Sequence, residues 1–208
     1  MLSRLRGVVS RLLAPVARVL LRAGVSPDAV TVLGTVGVVV TALWAFPTGH
    51  LAAGAIIIGA FAFLDALDGT MARLAGRSGA WGAFLDSTLD RAADAAIFCG
   101  LTAYFLVHHD GDLRTYGVIA ALASLVLGNL VSYARARAEG LGMTANVGIA
   151  ERGERLVVSL LMAGLVGFGL PVETLVVALA LLAAASLVTV GQRMMTVRRQ
   201  ALATANAS

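Results

Sequence analysis

Six apolar runs, near residues 28–46, 51–73, 82–107, 114–138, 153–169 and 172–192, are separated by short polar connections. Each run approaches the roughly 20 residues that an α-helix needs to cross about 30 Å of hydrocarbon. In that medium the backbone amides of each segment must be satisfied internally, so runs of this length read as helices. The chain is expected to be an all-α integral membrane protein with six transmembrane helices. Of its residues 59% are hydrophobic and 13% charged, against about 25% charged in soluble domains. An ordinary water-soluble domain is thereby excluded.

Residues 1–22 differ from these runs. Leu5, Val9, Leu12, Val16 and Val19 form a helical stripe, with Arg4, Arg11, Arg18 and Arg22 on other faces, the pattern of an amphipathic helix lying on a membrane surface. Arg11 and Arg18 interrupt any signal-peptide core, so this segment is expected in the mature protein. Ser26-Pro27-Asp28 marks the first span's start, with a capping hydroxyl, a proline at the first helical position and an acid at the positive end of the dipole. The expected organisation is a juxtamembrane helix over 1–25, a six-span domain over 26–199 and a short cytoplasmic tail over 200–208.

All 16 basic residues are arginine. They cluster after spans 2, 4 and 6 and before residue 23, while the other connections lack them apart from Arg114 at a border. By the positive-inside rule both termini are cytoplasmic, in the plasma membrane. The net charge of +4 is read as topology plus phosphate binding, with no nucleic-acid partner, because no nucleic-acid motif accompanies it. Cys99 is the only cysteine and is expected to be a buried, inert thiol.

Between residues 65 and 90, inside the second and third runs, stand four carboxylates, Asp65, Asp68, Asp86 and Asp90. An ionised carboxylate in hydrocarbon is penalised by about 2.5–3.5 kcal/mol even on the lenient insertion scale, so four of them need a compensating partner. Asp65 and Asp68 are i,i+3 neighbours, and Gly82, Asp86 and Asp90 follow at i,i+4,i+8, so each set lies on one helix face. The short turn 75–79 would aim both faces at one volume. Oxygen ligands without His or Cys favour Mg²⁺, Mn²⁺ or Ca²⁺ over zinc. Gly69 and Gly82 leave room for a ligand, and Arg73 offers a fork suited to phosphate. At about 1.5 Å per residue, Asp65 lies about 21 Å inward from Leu51 and Asp90 about 25 Å inward from Val107, one depth near the cytoplasmic face. Two non-enzymatic readings compete: acids paired with Arg73 and Arg91, or an ion path through the membrane.

The pattern D-x-x-D-G-x-x-A-R-x8-G-x-x-x-D-x-x-x-D over residues 65–90 resembles the signature of the CDP-alcohol phosphotransferases, integral membrane enzymes of phospholipid synthesis. The resemblance implies a CDP-linked lipid whose diphosphate binds two metal ions, Mg²⁺ or Mn²⁺, while an acceptor alcohol displaces CMP. It makes Asp65, Asp68 and Asp86 metal ligands, and Asp90 a ligand and general base. It gives Asp68, Gly69, Ala72, Arg73, Gly79 and Gly82 to the cytidine diphosphate, joined by Asp28 and Thr31 of the first span. Helix capping and packing is the alternative for Asp28 and Thr31.

Ser132, Arg135, Arg137, Arg152, Arg155 and Arg193 lie at the cytoplasmic ends of the last three spans. Each satisfies the positive-inside rule singly, but as a set they offer several guanidiniums to one phosphate. The segments Ser132-Tyr133-Ala-Arg135-Ala-Arg137-Ala-Glu139 and Glu151-Arg152-Gly-Glu154-Arg155 resemble the actinobacterial phosphatidylinositol phosphate synthases, although Arg135 stands where a lysine is expected. The resemblance implies transfer of a phosphatidyl group from CDP-diacylglycerol to inositol phosphate, in a homodimer. Glycerol 3-phosphate is the competing acceptor, and a divalent-cation transporter the competing class. Asp94 continues the acidic series one turn deeper, where it pairs with Arg91 or supports the ligands from behind. His108 and His109 read as an outer solvated turn, and Trp44, Trp81 and Tyr116 as an interfacial aromatic belt.

Overall fold

The computed structural model describes residues 13–76 and 79–205, with the side chains of 62–66 left aside. Its secondary structure is helical throughout: α1 over the described residues 13–22, α2 Pro27–Ala45, α3 Leu51–Leu74, α4 Ala80–His108, α5 Gly111–Glu139, α6 Arg152–Gly167 and α7 Glu173–Ala205. The six long helices follow the six apolar runs. Among the described residues three of them, α2, α5 and α7, are long and apolar enough to cross a membrane, as befits a membrane-embedded protein. Of the others, α4 carries three aspartates and Arg91 and α6 is only 16 residues long, while α3 is apolar over Leu51–Phe61.

The helices close into a ring. α2 packs on α3 and α4, α4 on α5, α5 on α7, α7 on α6, and α6 back on α3. Phe46, Leu51, Phe98, Leu101, Phe105, Leu175 and Leu179 fill the core toward one end of the ring. Lipid and core are equally apolar, so helix association here depends on close packing and interhelical hydrogen bonds. Ser124 Oγ, for example, donates to the Leu179 carbonyl across α5 and α7 at 2.8 Å. A Cβ placed on Gly100 would collide with the carbonyl oxygen of Ala42. Gly100→Ala is therefore expected to force α2 from α4 and lower stability by about 1–3 kcal/mol, read as an earlier unfolding midpoint in detergent; an unchanged midpoint would mean that the crossing yields freely.

The start of α2 forms as its sequence dictates, with Ser26 Oγ accepting from the Ala29 amide at 3.2 Å and Pro27 in the first turn. The α3–α4 turn is short, as expected, with Gly76 at φ 64°. α1 packs Leu13, Ala17, Leu20 and Leu21 onto Val30, Leu67 and Met71, leaving Val16 and Val19 exposed. Its earlier residues, including the expected stripe positions Leu5, Val9 and Leu12, lie outside the described residues. At the opposite end His108 hydrogen-bonds the Pro47 carbonyl at 3.0 Å, and His108 and His109 both pack on Tyr104.

One helix outlasts its apolar run, and one expectation is corrected. α7 continues to Ala205, so most of the expected tail is helix; Gln192, Arg193, Thr196 and Gln200 let it outlast its apolar run, because a helix that finds polar partners does not need lipid. Cys99 is exposed rather than buried, on the outward side of α4.

α7 also organises the long α5–α6 connection. Thr189 Oγ1 accepts from the Ile149 and Ala150 amides at 3.1 Å each. Arg193 Nε donates to the Val147 carbonyl at 2.9 Å, and Gln200 clasps Thr144 by accepting from its amide and donating to its carbonyl. An irregular segment is thus laced to one helix face. It delivers Glu151, whose amide bonds the Glu154 carboxylate in a capping box, to the start of α6.

Candidate active site

α3, α4 and the first turn of α2 meet at the end of the ring marked by the α3–α4 turn. Asp68 is 7% exposed and accepts a hydrogen bond from Thr31 Oγ1 of α2 at 2.5 Å. One turn on, Arg73 donates to Thr70 at 3.1 Å. Asp86 is exposed, and Asp90 lies one turn deeper on the same face of α4. The carboxylate of Asp65 lies outside the described side chains.

Three clefts converge on these acids. The first, of about 570 Å³, runs between α2 and the α3–α4 turn and is lined by Asp28, Thr31, Asp68, Gly69, Ala72, Arg73, Gly79, Gly82 and Asp86. All the residues assigned to the nucleotide therefore border one space. A Cβ on Gly79 or Gly82 would meet no atom within 4 Å, so these glycines border open volume rather than a packed neighbour. The second cleft, of about 460 Å³, is chiefly apolar, with Val38, Ile58, Phe61, Ile97 and Leu160 leading to Asp68, Asp90 and Arg152. The third, of about 920 Å³, lies between α4, α5, α6 and α7 and holds Asp86, Asp90, Arg91, Ser132, Arg135, Arg152 and Arg193. Each acid borders two clefts: Asp68 the first and second, Asp86 the first and third, Asp90 the second and third.

The arginines expected to bind a phosphate separate into three groups. Arg135, Arg152 and Arg193 line the third cleft with Ser132. Arg135 is exposed and paired with Glu139 at 2.9 Å, whereas Arg193 is buried and tied to the Val131 and Val147 carbonyls. Arg137 is exposed and does not border that cleft. Arg155 is 1% exposed and lies behind it, donating to the Ala150 carbonyl at 3.2 Å and to Asp94 at 3.4 Å. A Cβ on Gly128 would press on its guanidinium, so glycine at that position makes room for it.

Asp94, 5% exposed, is the anchor that sequence reasoning undervalued. It pairs with Arg91 at 3.8 Å, as expected, but also with Arg152 at 3.1 Å and Arg155 at 3.4 Å. Arg152 spans two acids, placing its other nitrogen 2.8 Å from Asp90. The signal in sequence was the i,i+4 continuation from Asp90 to Asp94; the partners on α6 lie about sixty residues away and leave no local trace. Trp81, read as a belt residue, borders the first cleft and donates to Asp28 at 3.1 Å.

The donor set suits a hard divalent cation: carboxylate oxygens from two helices beside cleft-lining glycines. Among the described residues no three such groups already converge as a ready ligand set. Chemically, the site can hold an anionic group between acids and arginines, accept a proton at a carboxylate, and bring an apolar tail to the same point.

Comparison with known proteins gives one family. The CDP-alcohol phosphatidyltransferase model matches residues 24–191. A phosphatidylinositol phosphate synthase of Streptomyces avermitilis is 48% identical, over 94% of this chain and 81% of the relative. One from Cutibacterium acnes is 46% identical, over 96% and 98%. The crystal structure of the Mycobacterium tuberculosis phosphatidylinositol phosphate synthase with CDP-DAG bound superposes with a TM-score of 0.84 at 45% identity, covering 90% of this chain and 94% of that one. A second crystal structure of that enzyme, in complex with manganese and citrate, matches at the same TM-score with 44% identity over 89% and 88%.

Proposed function

The chain belongs to the CDP-alcohol phosphatidyltransferase family, and on that premise we propose that it transfers the phosphatidyl group of CDP-diacylglycerol to inositol phosphate, releasing CMP. The observation that carries this reading is the junction of three clefts at Asp68, Asp86 and Asp90. A CDP-lipid has an apolar part, a diphosphate and a nucleoside; the apolar cleft takes the first, and the cleft of Asp28 and Arg73 the last. The arginine-lined cleft then receives a phosphorylated polyol from the opposite side of the acids.

In the reaction the acceptor hydroxyl oxygen forms a bond to the phosphorus nearer the lipid. The bond from that phosphorus to the bridging oxygen breaks, and CMP departs with the bonding pair. Asp90, which borders the apolar and acceptor clefts, takes the hydroxyl proton. Asp65, Asp68, Asp86 and Asp90 would hold Mg²⁺ or Mn²⁺, in a pair of sites, and the bound cation supplies charge neutralisation at the diphosphate. Arg73 steadies the diphosphate, while Arg135, Arg152 and Arg193 hold the acceptor's phosphate. Arg155 acts from behind through Asp94, and Arg137 stays with topology.

Six membrane spans with cytoplasmic termini, a plasma-membrane location and a homodimer belong to the same reading. The closed ring of six helices and the placement of arginines support the spans. Exposed Val16 and Val19 beside Arg18 and Arg22 support an interfacial role for the N-terminal helix.

The test is CMP release by purified protein with CDP-diacylglycerol and Mg²⁺, comparing inositol phosphate, free inositol, glycerol 3-phosphate and serine. Release with inositol phosphate alone is expected. Release with glycerol 3-phosphate instead would overturn the acceptor and keep the aspartates. Arg135→Ala is expected to raise the KM for inositol phosphate by about tenfold while leaving that for CDP-diacylglycerol unchanged, since the exposed guanidinium supplies a charge-assisted contact and no core packing. Equal changes in both constants would remove Arg135 from the acceptor pocket.

A further inference from the structure

Trp81 stands in the first turn of α4, and its indole Nε1 donates to Asp28 Oδ2 in the first turn of α2 at 3.1 Å. The two residues are 53 positions apart and both border the first cleft. The residue is 63% exposed, so its ring is not spent on the core, and it stands beside Phe84 with ring centroids 6.1 Å apart. Partition to a membrane interface accounts for an exposed tryptophan. It does not account for a hydrogen bond that crosses from one helix start to another over a cleft.

We propose that Trp81 is a specificity-determining residue for the nucleobase: it fixes the Asp28 carboxylate so that Oδ1 accepts from the exocyclic amine of cytosine. The inference rests on the reading of the first cleft as the nucleotide site. An ionised carboxylate is acceptor-only. Cytosine presents an N4 amine donor, whereas uracil carries a carbonyl oxygen at that place, which would face the carboxylate acceptor to acceptor. Among the described residues Asp28 has no hydrogen bond besides the one from Trp81, so its second oxygen is the one open to a base. Holding Oδ2 on the indole removes a rotamer choice before the ligand arrives, which lowers the cost of binding. The exposed indole face also gives the base a surface to stack on.

The experiment measures CDP and UDP binding by titration calorimetry to the wild-type protein and to Trp81→Phe in detergent. Phenylalanine keeps an aromatic face and removes only the N–H. CDP affinity is expected to fall by about tenfold, with UDP affinity little changed, so that the CDP:UDP preference collapses; Asp28→Asn should collapse it in the same way. The chain has two tryptophans, so in a Trp44→Phe background Trp81 fluorescence should respond saturably to CDP. If Trp81→Phe binds CDP with an unchanged CDP:UDP ratio, Trp81 loses this role and the nucleotide reading of the cleft stands. If the wild-type protein binds neither nucleotide, both fall together.

Discussion

Asp90→Asn is expected to lower CMP release from CDP-diacylglycerol and inositol phosphate by at least about a thousandfold, with binding of the CDP-lipid largely retained. General-base catalysis by a positioned carboxylate contributes about 10²–10⁴-fold, and loss of an anionic metal ligand adds to that. The fold should survive, because Arg152, which lies 2.8 Å from Asp90, keeps its second bond to Asp94 at 3.1 Å. Asp68 and the glycines of the first cleft are untouched. A variant that turns over within tenfold of the wild-type rate would sink the role given to Asp90. Loss of CDP-lipid binding together with turnover would instead recast it as a structural ion pair.

Asp94→Ala carries the second large effect, this time on stability. The Arg155 guanidinium is 1% exposed, and its described partners are Asp94 and one backbone carbonyl. Removing Asp94 leaves a buried cation without its counter-charge, which typically costs about 3–5 kcal/mol. A clear fall in the unfolding midpoint in detergent is expected. Asp94→Ala/Arg155→Met should recover much of it, since an apolar pair of similar volume avoids the uncompensated charge. If the double variant is no more stable than the single one, Arg155 is not the group that Asp94 compensates. In residual folded protein the KM for inositol phosphate should also rise, because Arg152 loses one of the two acids that hold it.

These variants show which parts of the site sequence could and could not display. Asp68, Asp86 and Asp90 were legible because helical spacing alone puts them on facing surfaces of neighbouring helices, and the α2 start because Ser26 and Pro27 act on their own turn. Arg155 was legible as a cation near a membrane boundary, but its depth depends on Gly128 and Asp94, which belong to other helices. The same blindness to distant partners affected Trp81, whose bond reaches Asp28. The full length of α7 was not legible because hydropathy reports where lipid ends, whereas a helix ends where its backbone partners run out. Arg193 and Gln200 find theirs in the 144–150 segment.

That lacing of residues 144–150 to Thr189, Arg193 and Gln200 has a temporal side. Synthesis runs from the N-terminus, so α2, α3 and α4, which line the first cleft, are made before α7. The 144–150 segment that leads into α6 finds its last described partner, Gln200, only near the chain's end. On the proposed function, the residues that would hold the nucleotide all precede residue 87, whereas the third cleft is complete only once Arg193 has been added, so competence for transfer is expected to arrive with the last helix.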